Sequence, residues 1–384
     1  MPLSLMSLLL HGLIGWRLLP AWQGLPLIQG MLALGLLASA LLLPQGMGRR
    51  RRAGGSSGIA WVWAGLICLG LFSSLLVLTL LRDMALLLVG AADAVLGAGW
   101  PLAAWSGTSG RVVPLLALVV TLWGFINARR TARIVRVDVP IAGLPPALHG
   151  FTIAQLSDVH VGPTIRGPYL QAIVARVNSI EADMVAVTGD LVDGSVQDLA
   201  PHVAPLAGLR SRHGTFFVTG NHEYYSGAAA WVAELRRLGL QVLQNEHVVL
   251  DVAREGQADA QLVVAGVTDF GAHHFDAQQR SDPAGALRGA PPAATTRLLL
   301  AHQPRSAEAA QQAGYQLQLS GHTHGGQFWP WNFFVPLQQP FTAGLHRLKQ
   351  LWVYTSRGTG YWGPPKRFGA PSEITRLRLV VAPP

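Results

Sequence analysis

Charged residues and cysteine are both scarce in this sequence of 384 residues. Only 13% of the residues are charged while 50% are hydrophobic, and this composition excludes a disordered chain and an ordinary soluble protein. The single cysteine, Cys68, excludes a disulfide framework and a cysteine-rich zinc module. We therefore expect part of the chain to lie in a membrane.

Positive charge is concentrated in one part of the chain. Residues 1–137 contain 11 Arg and 2 acidic residues, whereas residues 138–384 contain 18 basic and 18 acidic residues. The whole excess therefore falls in the apolar third, where arginines mark membrane orientation instead of forming a basic surface. Nucleic acid is not expected as a partner.

Long stretches with almost no charge predict that residues 1–137 form a transmembrane region of about four spans. Each of the four stretches is close to the roughly 20 residues that a membrane-crossing helix needs. They are Leu3–Leu19, Leu25–Leu43, Ile59–Leu81 and Val112–Ile126. A fifth apolar stretch, Met84–Trp100, is short and carries Asp93, so a fifth span, a re-entrant hairpin and an interfacial helix all stay open for it.

Two arginine blocks predict the orientation of these spans. Arg49–Arg52 lies between the second and third spans, and a second block follows the fourth span at Arg129, Arg130, Arg133 and Arg136. Both blocks favour the cytoplasm, and an even number of spans places them on the same side. We therefore expect a multi-pass protein of the cell (inner) membrane with its remaining residues in the cytoplasm.

After Val137 the sequence changes to short β-branched runs that alternate with helical stretches, as expected of an α/β domain. We assign residues 138–150 to a linker and residues 151–384 to this domain. The predicted strands are Phe151–Leu156, Met184–Thr188, Thr215–Thr219, Gln261–Gly266, Arg297–Ala301, Gln316–Leu319, Leu351–Thr355 and Ile374–Val381. The predicted helices are Tyr169–Ile180, Ala229–Leu238 and Ser306–Ala313. Residues 271–295 are predicted to be a surface loop.

Polar side chains that can bind metals follow five of the predicted strands. In an open α/β sheet, ligands bind beyond the carboxyl ends of the strands, so these side chains are expected to meet at one edge. In chain order they are Asp158, His160, Asp190, Asn221, His222, His302, His322 and His324. Any one of them alone would be an ordinary turn residue, and the prediction depends on the whole set.

The chemistry of this set predicts a metal site without thiolate. Imidazole, carboxylate and amide oxygen together suit divalent Mn, Fe, Co or Zn. Leaving His222 aside, seven ligands exceed one coordination sphere if water also binds, so two metal ions are expected. Two such ions about 3.5 to 4 Å apart activate water and hold phosphoryl oxygens, which makes phosphoester hydrolysis the natural reaction class.

Five sequence motifs around these residues resemble, in order and in type, those of the calcineurin-like metallophosphoesterases. The resemblance covers about residues 150–381 and implies two mixed β-sheets packed together and flanked by helices. The motifs are Ser157–His160, Gly189–Asp193, Gly220–Glu223, Ala301–Pro304 and Gly321–Gln327. The run from Leu317 to Gln327, and the multi-span N-terminus, are similar to the membrane-anchored branch that includes the YkuE-like phosphoesterases.

The resemblance also implies a role for each residue of the set. Asp190 would bridge the two metals, and His222 would bind neither metal but would stabilise or protonate the leaving oxygen. Asp193 and Glu223 would orient the ligating imidazoles. One metal would be bound by Asp158, His160, Asp190 and His324, and the other by Asp190, Asn221, His302 and His322.

The substrate class stays open between phosphomonoesters, phosphodiesters and pyrophosphates, because the same two-metal core serves all three. The aromatic run Phe328–Phe334 and the pair Tyr361–Trp362 suit a membrane interface and predict a lipid-linked substrate, for which a UDP-acylglucosamine is a candidate by resemblance only. Packing in the domain core is the other explanation for these rings. A non-catalytic metal-binding sensor or scaffold, and spans coupled to hydrolysis through Arg82, Asp83 or Asp93, are the alternative functions.

Overall fold

The computed structural model describes residues 2–49, 56–292, 294 and 296–383. Contacts between residues divide the chain into two units, which are described separately. The helical unit consists of Met1–Arg129 together with Gly363–Phe368, and the catalytic unit consists of Arg130–Trp362 together with Gly369–Pro384. The arginines at 50–52, which the orientation argument uses, lie outside the described residues.

Four long apolar helices form most of the helical unit, and their number equals the number of spans that the sequence predicts. Within the described residues, four helices are long and apolar enough to cross a membrane. They are α1 (Leu3–Leu18), α2 (Pro26–Arg49), α3 (Ser56–Leu96) and α4 (Leu102–Arg129).

The stretch Met84–Trp100 does not form a span of its own. Its first residues continue α3, which runs for 41 residues or about 60 Å, and the chain then turns into α4. Asp93 lies one turn before the end of α3, and its carboxylate accepts a hydrogen bond of 3.0 Å from the backbone N–H of Trp100. Asp93 therefore closes the turn between the two helices.

Small residues and one polar network hold the helices together. A Cβ on Gly46 would lie only 2.7 Å from the Cα of Gly65, so α2 and α3 touch backbone to backbone at these two glycines. Farther along α3, Asp83 accepts hydrogen bonds of 2.7 Å from both Arg82 and Arg17. The contact between Asp83 and Arg17 thus stabilises the packing of α3 on α1.

Two mixed β-sheets form the catalytic unit, which confirms the predicted fold class. The described residues contain twelve strands in two sheets of six, with the orders β1-β12-β2-β3-β4-β5 and β10-β11-β9-β8-β7-β6. The strands of the first half of the unit are β1 (Arg133–Ile141), β2 (Thr152–Leu156), β3 (Met184–Thr188), β4 (Thr215–Val218), β5 (Gln241–Val242) and β6 (Glu246–Val252). The others are β7 (Ala260–Gly266), β8 (Thr296–Leu300), β9 (Leu317–Ser320), β10 (Gly344–Leu348), β11 (Leu351–Thr355) and β12 (Glu373–Val381).

Apolar side chains from both sheets form one core between them. Ile153 and Phe216 of the first sheet belong to the same buried cluster as Val264, Leu300 and Leu319 of the second. The central strands β2, β3 and β4 run parallel to one another, as do β7, β8 and β9. Most of their residues are apolar and buried because both of their faces are covered.

Helices cover the outer faces of the sheets, and the three predicted helices are present with ends that differ by one to two residues. Two further helices, α6 and α7, which are eight and six residues long, were not predicted. The five are α5 (Gly167–Asn178), α6 (Val196–Val203), α7 (Asn221–Ser226), α8 (Ala228–Arg237) and α9 (Ala307–Gln312).

Strand β1 was missed by the sequence analysis, which divided its residues between the membrane region and the linker. It pairs in parallel with β12 along its whole length, from Arg133 opposite Glu373 to Ile141 opposite Val381. Its polar residues, including Arg136 and Asp138, alternate with apolar residues, and this period of two is typical of a strand with one buried face. Strands β5, β6 and β10 were also missed.

Candidate metal centre

Carboxyl ends of strands from both sheets meet at the candidate site. In the first sheet β2, β3 and β4 are adjacent, and in the second β8 and β9 are adjacent. Each of these strands is followed within four residues by at least one of the residues singled out from the sequence. The structure brings all of the predicted His and Asp ligands together, in two neighbouring groups.

The first group contains Asp158, His160 and His324, whose ligand atoms lie within 4.8 Å of one another. The Nε2 atoms of His160 and His324 are 3.0 Å apart, and Nε2 of His324 is 3.3 Å from Oδ1 of Asp158. All three residues are buried. The backbone N–H of His322 donates to the Asp158 carboxylate and so holds the β2 and β9 loops together.

The second group contains Asp190, His302 and His322, again within 4.8 Å. Nε2 of His302 is 3.2 Å from Oδ2 of Asp190 and also 3.2 Å from Nδ1 of His322. The same Asp190 oxygen lies 3.9 Å from Nε2 of His160 in the first group. Asp190 thus lies between the two groups.

In both His302 and His160, a hydrogen bond at Nδ1 determines whether Nε2 can offer a lone pair to a cation. Nδ1 of His302 is 2.7 Å from the carbonyl oxygen of Thr188, which can only accept, so Nδ1 carries the proton. In the protonated ring Nε2 therefore donates to the Asp190 carboxylate, and only in the neutral ring would Nε2 present a lone pair to a cation. Nδ1 of His160 lies 3.3 Å from Asp193, which leaves its Nε2 a lone pair toward His324. Lone pairs that face one another and a carboxylate repel unless a cation lies among them.

Asn221 provides an independent indication of a cation. Its side-chain Oδ1 is buried and has no hydrogen-bond partner among the described residues. A buried oxygen without a partner costs about 1 to 3 kcal/mol, and coordination of a metal ion would offset that cost. Together with the carboxylates and imidazoles this donor set fits divalent Mn, Fe, Co or Zn.

The pKa values of the second group show how strongly negative the site is. Burial opposes protonation of His302, yet Asp190, Asp158 and Asp269 raise its pKa well above the usual value. Burial also raises the pKa of Asp190, but nearby histidines led by His302 outweigh it and hold that pKa well below its usual range. Burial, with the charge of His302, lowers the pKa of His322 to about 3. His322 is therefore a neutral ring, as metal binding requires.

The backbone is strained at most of these positions. Asp158, His160, Asp190, His322 and His324 all have φ between 52° and 70°. This left-handed region costs a non-glycine residue on the order of 1 kcal/mol or more, and such residues persist where the surrounding structure requires them. The close approach also explains Gly220, since a Cβ there would lie 2.2 Å from Oδ1 of Asp190.

His222 lies at the edge of both groups. Its Nδ1 is 2.5 Å from Oδ1 of Asp193, and its Nε2 is 3.9 Å from Oδ2 of Asp190. Asp193 therefore contacts both His160 and His222, which agrees with the orienting role that the resemblance implied for it. The His222 side chain is more accessible than that of His302, which is fully buried.

Glu223 does not orient an imidazole, and the expectation for this residue was wrong. Its buried carboxylate accepts hydrogen bonds from the backbone N–H groups of Gly220, Asp190, Leu191 and Val192. Burial raises its pKa to about 7, while the N–H donors act in the opposite direction because they stabilise the carboxylate. Glu223 thus connects the loop after β4 to the loop that carries Asp190.

Asp269 is a buried acid beside the site that the sequence analysis missed. It follows β7 and accepts hydrogen bonds from Nε2 of Gln303, the nearer at 2.9 Å, next to His302. Burial is the main cause that raises its pKa. The strand-end rule that found the other residues would have found Asp269 as well.

Aromatic side chains line the rim of the site. The rings of Tyr225 and Trp362 lie 5.3 Å and 5.9 Å from the His222 ring. Phe275, from the loop to which no chemistry had been assigned, contacts Tyr225 at 5.5 Å. In the aromatic run after the last motif, Phe328 is buried, whereas Trp329, Trp331, Phe333 and Phe334 are 39%, 42%, 65% and 53% exposed. Core packing therefore does not explain these four rings.

Comparisons with known proteins agree with this geometry. Residues 151–326 match the family model described as calcineurin-like phosphoesterase. A "Transmembrane protein with metallophosphoesterase domain" from Bos taurus is 42% identical over 281 residues, which are 70% of this chain and 63% of that protein. The chain thus spans less than two thirds of the length of this relative.

Two bacterial relatives are matched over a larger share of their length. An "Uncharacterized metallophosphoesterase" from Helicobacter pylori is 36% identical over 69% of this chain and 69% of its own length. The "Uncharacterized metallophosphoesterase YkuE" of Bacillus subtilis is 28% identical over 62% of this chain and 81% of its own length.

The Glu223 contacts lead to a stability prediction. Replacing Glu223 with Gln directs an amide N–H₂ at backbone donors and leaves some of them without an acceptor, at a cost of about 1 to 3 kcal/mol. In a unit of this size each kcal/mol lowers the melting temperature by roughly 2 to 4 °C. Thermal unfolding in detergent should show this decrease for Glu223→Gln, whereas the exposed Glu255→Gln should melt like the unmodified protein. Equal melting temperatures would contradict the assigned contacts.

Proposed function

The chain belongs to the calcineurin-like phosphoesterase family, and from this premise we propose that it is a membrane-anchored hydrolase of phosphoester or pyrophosphate bonds that uses two divalent metal ions. The family and the group of candidate ligands support a metal-dependent phosphoesterase in general. The observation that carries the two-metal proposal is that Asp190 lies between two groups of ligand atoms, 3.2 Å from His302 and 3.9 Å from His160.

Each group would hold one ion, of Mn, Fe, Zn or Co. Asp158, His160 and His324 would bind the first, Asn221, His302 and His322 the second, and Asp190 both. When bound, such a pair lowers the pKa of a water molecule and neutralises charge on the phosphoryl oxygens. The chain's own residues hold these ligands rigid, through Thr188 on His302 and Asp193 on His160.

His222 would supply the proton for the leaving oxygen. Its Nδ1 contacts Asp193, which fixes the ring and stabilises the imidazolium form, so that Nε2 is the atom that carries the mobile proton. Nε2 of His222 lies as far from Oδ2 of Asp190 as Nε2 of His160 does, at 3.9 Å, so the assignment of His222 as the acid is supported by its greater exposure and by the family resemblance, not by this distance. The surrounding rings of Tyr225 and Trp362 restrict the access of water.

Variants of Asp190 and His222 should therefore behave differently. Asp190→Asn should lose nearly all hydrolysis of bis-p-nitrophenyl phosphate together with bound metal, because it weakens both sites. His222→Ala should retain about two metal ions per chain and lose roughly 10²- to 10⁴-fold in kcat, the usual contribution of a general acid. Metal content by mass spectrometry and kcat should be measured on the same preparations.

The exposed His274→Ala serves as the control and should match the unmodified enzyme in both measurements. Loss of metal in His222→Ala would instead make His222 a ligand. If the metal-loaded, folded protein hydrolysed none of p-nitrophenyl phosphate, bis-p-nitrophenyl phosphate or a UDP-linked lipid, the non-catalytic sensor or scaffold would be the better account. The relative rates on these three substrates distinguish monoester, diester and pyrophosphate hydrolysis.

We also propose that the substrate is linked to a lipid. Trp362, which lies beside His222, and the exposed residues Trp329, Trp331, Phe333 and Phe334 of the run after the last motif are together called the aromatic rim here, and all five side chains are at least 39% exposed. Exposed Trp and Phe at this density suit the interface of a bilayer, where the ring is buried among acyl chains and the indole N–H stays hydrated. A soluble phosphoester would gain nothing from such a rim, whereas a lipid headgroup phosphate would.

Removing part of the rim should separate the two substrate types. The triple variant Trp329→Ser, Trp331→Ser, Phe334→Ser should retain hydrolysis of soluble bis-p-nitrophenyl phosphate and lose about tenfold or more on phosphatidyl-p-nitrophenol in phosphatidylcholine vesicles, because anchoring of the rim at the interface is lost. Both substrates release p-nitrophenol, so one absorbance assay serves both. Val381→Ser, at an exposed apolar residue elsewhere, should leave both rates unchanged. Equal losses on both substrates would contradict the proposed role of the rim.

The catalytic unit is proposed to lie in the cytoplasm. Arg129 ends α4 and Arg130 follows it, while Arg49 ends α2, so the described arginines flank the same side of an antiparallel set of spans. In a bacterial host, a C-terminal fusion to green fluorescent protein should fluoresce and a fusion to alkaline phosphatase should be inactive. The reverse result would place the catalytic unit outside.

A further inference from the structure

A short segment far along the chain belongs to the helical unit. Residues Gly363–Phe368, here called the docked segment, pack with α3 and α4. Lys366 and Arg367 are 2% and 0% exposed although both are charged. Charged residues with this degree of burial are held in place by specific contacts.

Hydrogen bonds attach the docked segment to two different helices. The Lys366 ammonium donates to the carbonyl of Gly70, at 2.8 Å, and to the hydroxyl of Ser74, both on α3. The backbone N–H of Arg367 donates to the carbonyl of Gly124 on α4, at 2.8 Å. A Cβ on Gly124 would lie 2.7 Å from Cγ of Lys366, so the contact depends on the glycine.

These contacts involve residues of two predicted spans. Gly70 and Ser74 are inside the predicted span Ile59–Leu81, and Gly124 is inside the predicted span Val112–Ile126. Irregular backbone within a membrane is tolerated only where protein covers it and satisfies its polar groups. The burial of Lys366 and Arg367 meets this condition.

The residues on both sides of the docked segment contact the loop that carries the last metal-binding motif. Trp362, directly before the segment, exchanges two hydrogen bonds of 2.8 Å with the side chain of Gln327. Gly369, directly after the segment, forms a β-bridge with Phe328. Gln327 and Phe328 follow His324 by three and four residues.

We infer that the docked segment is an anchor on α3 and α4 that positions Trp362 and the Gln327 loop, and thereby directs the metal centre to phosphoesters presented in a bilayer. Lys366 is in this account a positioning residue, not a catalytic one. The inference rests on the proposed hydrolysis for its functional consequence, but the docking itself is independent of any activity.

A disulfide can test the docking. A Cβ on Gly70 would lie 3.5 Å from Cβ of Pro364, at the lower end of the range found in disulfides. In a Cys68→Ser background, the pair Gly70→Cys, Pro364→Cys should form a cross-link in native membranes under mild oxidation. A protease site inserted after Gly256, in an exposed turn between β6 and β7, lets the cross-link be read on a non-reducing gel.

The control pair is Gly12→Cys with Pro364→Cys, because nothing lies within 4 Å of a Cβ on Gly12. A cross-link in the first pair alone supports docking. Equal cross-linking in both pairs, or none in the first, overturns it.

Two glycine variants on α4 test whether the docked segment affects hydrolysis. Gly124→Val should displace Lys366 and lower kcat/KM on phosphatidyl-p-nitrophenol in vesicles by about tenfold or more, as expected when positioning is lost. Its rate on soluble bis-p-nitrophenyl phosphate should be unchanged. Gly107→Val, also on α4 but with nothing within 4 Å of its Cβ, should change neither rate.

Equal losses on both substrates, or no loss on either, would overturn the positioning role. Failure of the unmodified enzyme on both substrates would contradict the proposed hydrolysis, while the cross-link would still report on the docking.

Discussion

Repulsion among buried acceptor groups is the constraint on which the catalytic unit depends. Asp158 and Asp190 are both buried, and, against the effect of burial, their negative charges raise the pKa of the neighbouring His302 well above its usual value. Burial raises the pKa of Asp158, and Asp190 raises it further, although nearby histidines act against this. Without a cation such an arrangement is costly, so the surrounding fold must hold the groups together until metal ions bind.

The two sheets provide that support in a direct way. Their shared core fixes the carboxyl ends of β2, β3 and β4 against those of β8 and β9. Between the ends, backbone contacts hold loops from different strands together, as Glu223 does for the Asp190 loop. The positive φ angles at five ligand positions show that the loops are forced into place, since none of those residues adopts this region readily. The core therefore stabilises a strained site.

The sequence reveals the parts of this arrangement that leave a local pattern. Apolar runs such as Met184–Thr188 are readable as strands because both faces are covered, and a polar residue directly after such a run is conspicuous. Strand β1 was missed because its arginines resemble a membrane-flanking block. Glu223 was misinterpreted because Gly220, and not Ser or Thr, precedes it at the N-cap of α7, so the usual capping-box pattern is incomplete in the sequence. Lys366 belongs to a turn of Gly, Pro and Lys that would be predicted to be exposed. Its burial depends on tertiary contacts with helices, which no local pattern predicts.

The central claim is that Asp190 joins two metal ions. It is tested most directly by a crystal structure of the protein loaded with Mn²⁺, in which anomalous scattering locates the metal. Our account predicts two anomalous peaks about 3.5 to 4 Å apart, one beside Asp158, His160 and His324 and the other beside Asn221, His302 and His322, with the Asp190 carboxylate contacting both. A single peak, or two peaks of which Asp190 contacts at most one, would contradict the account.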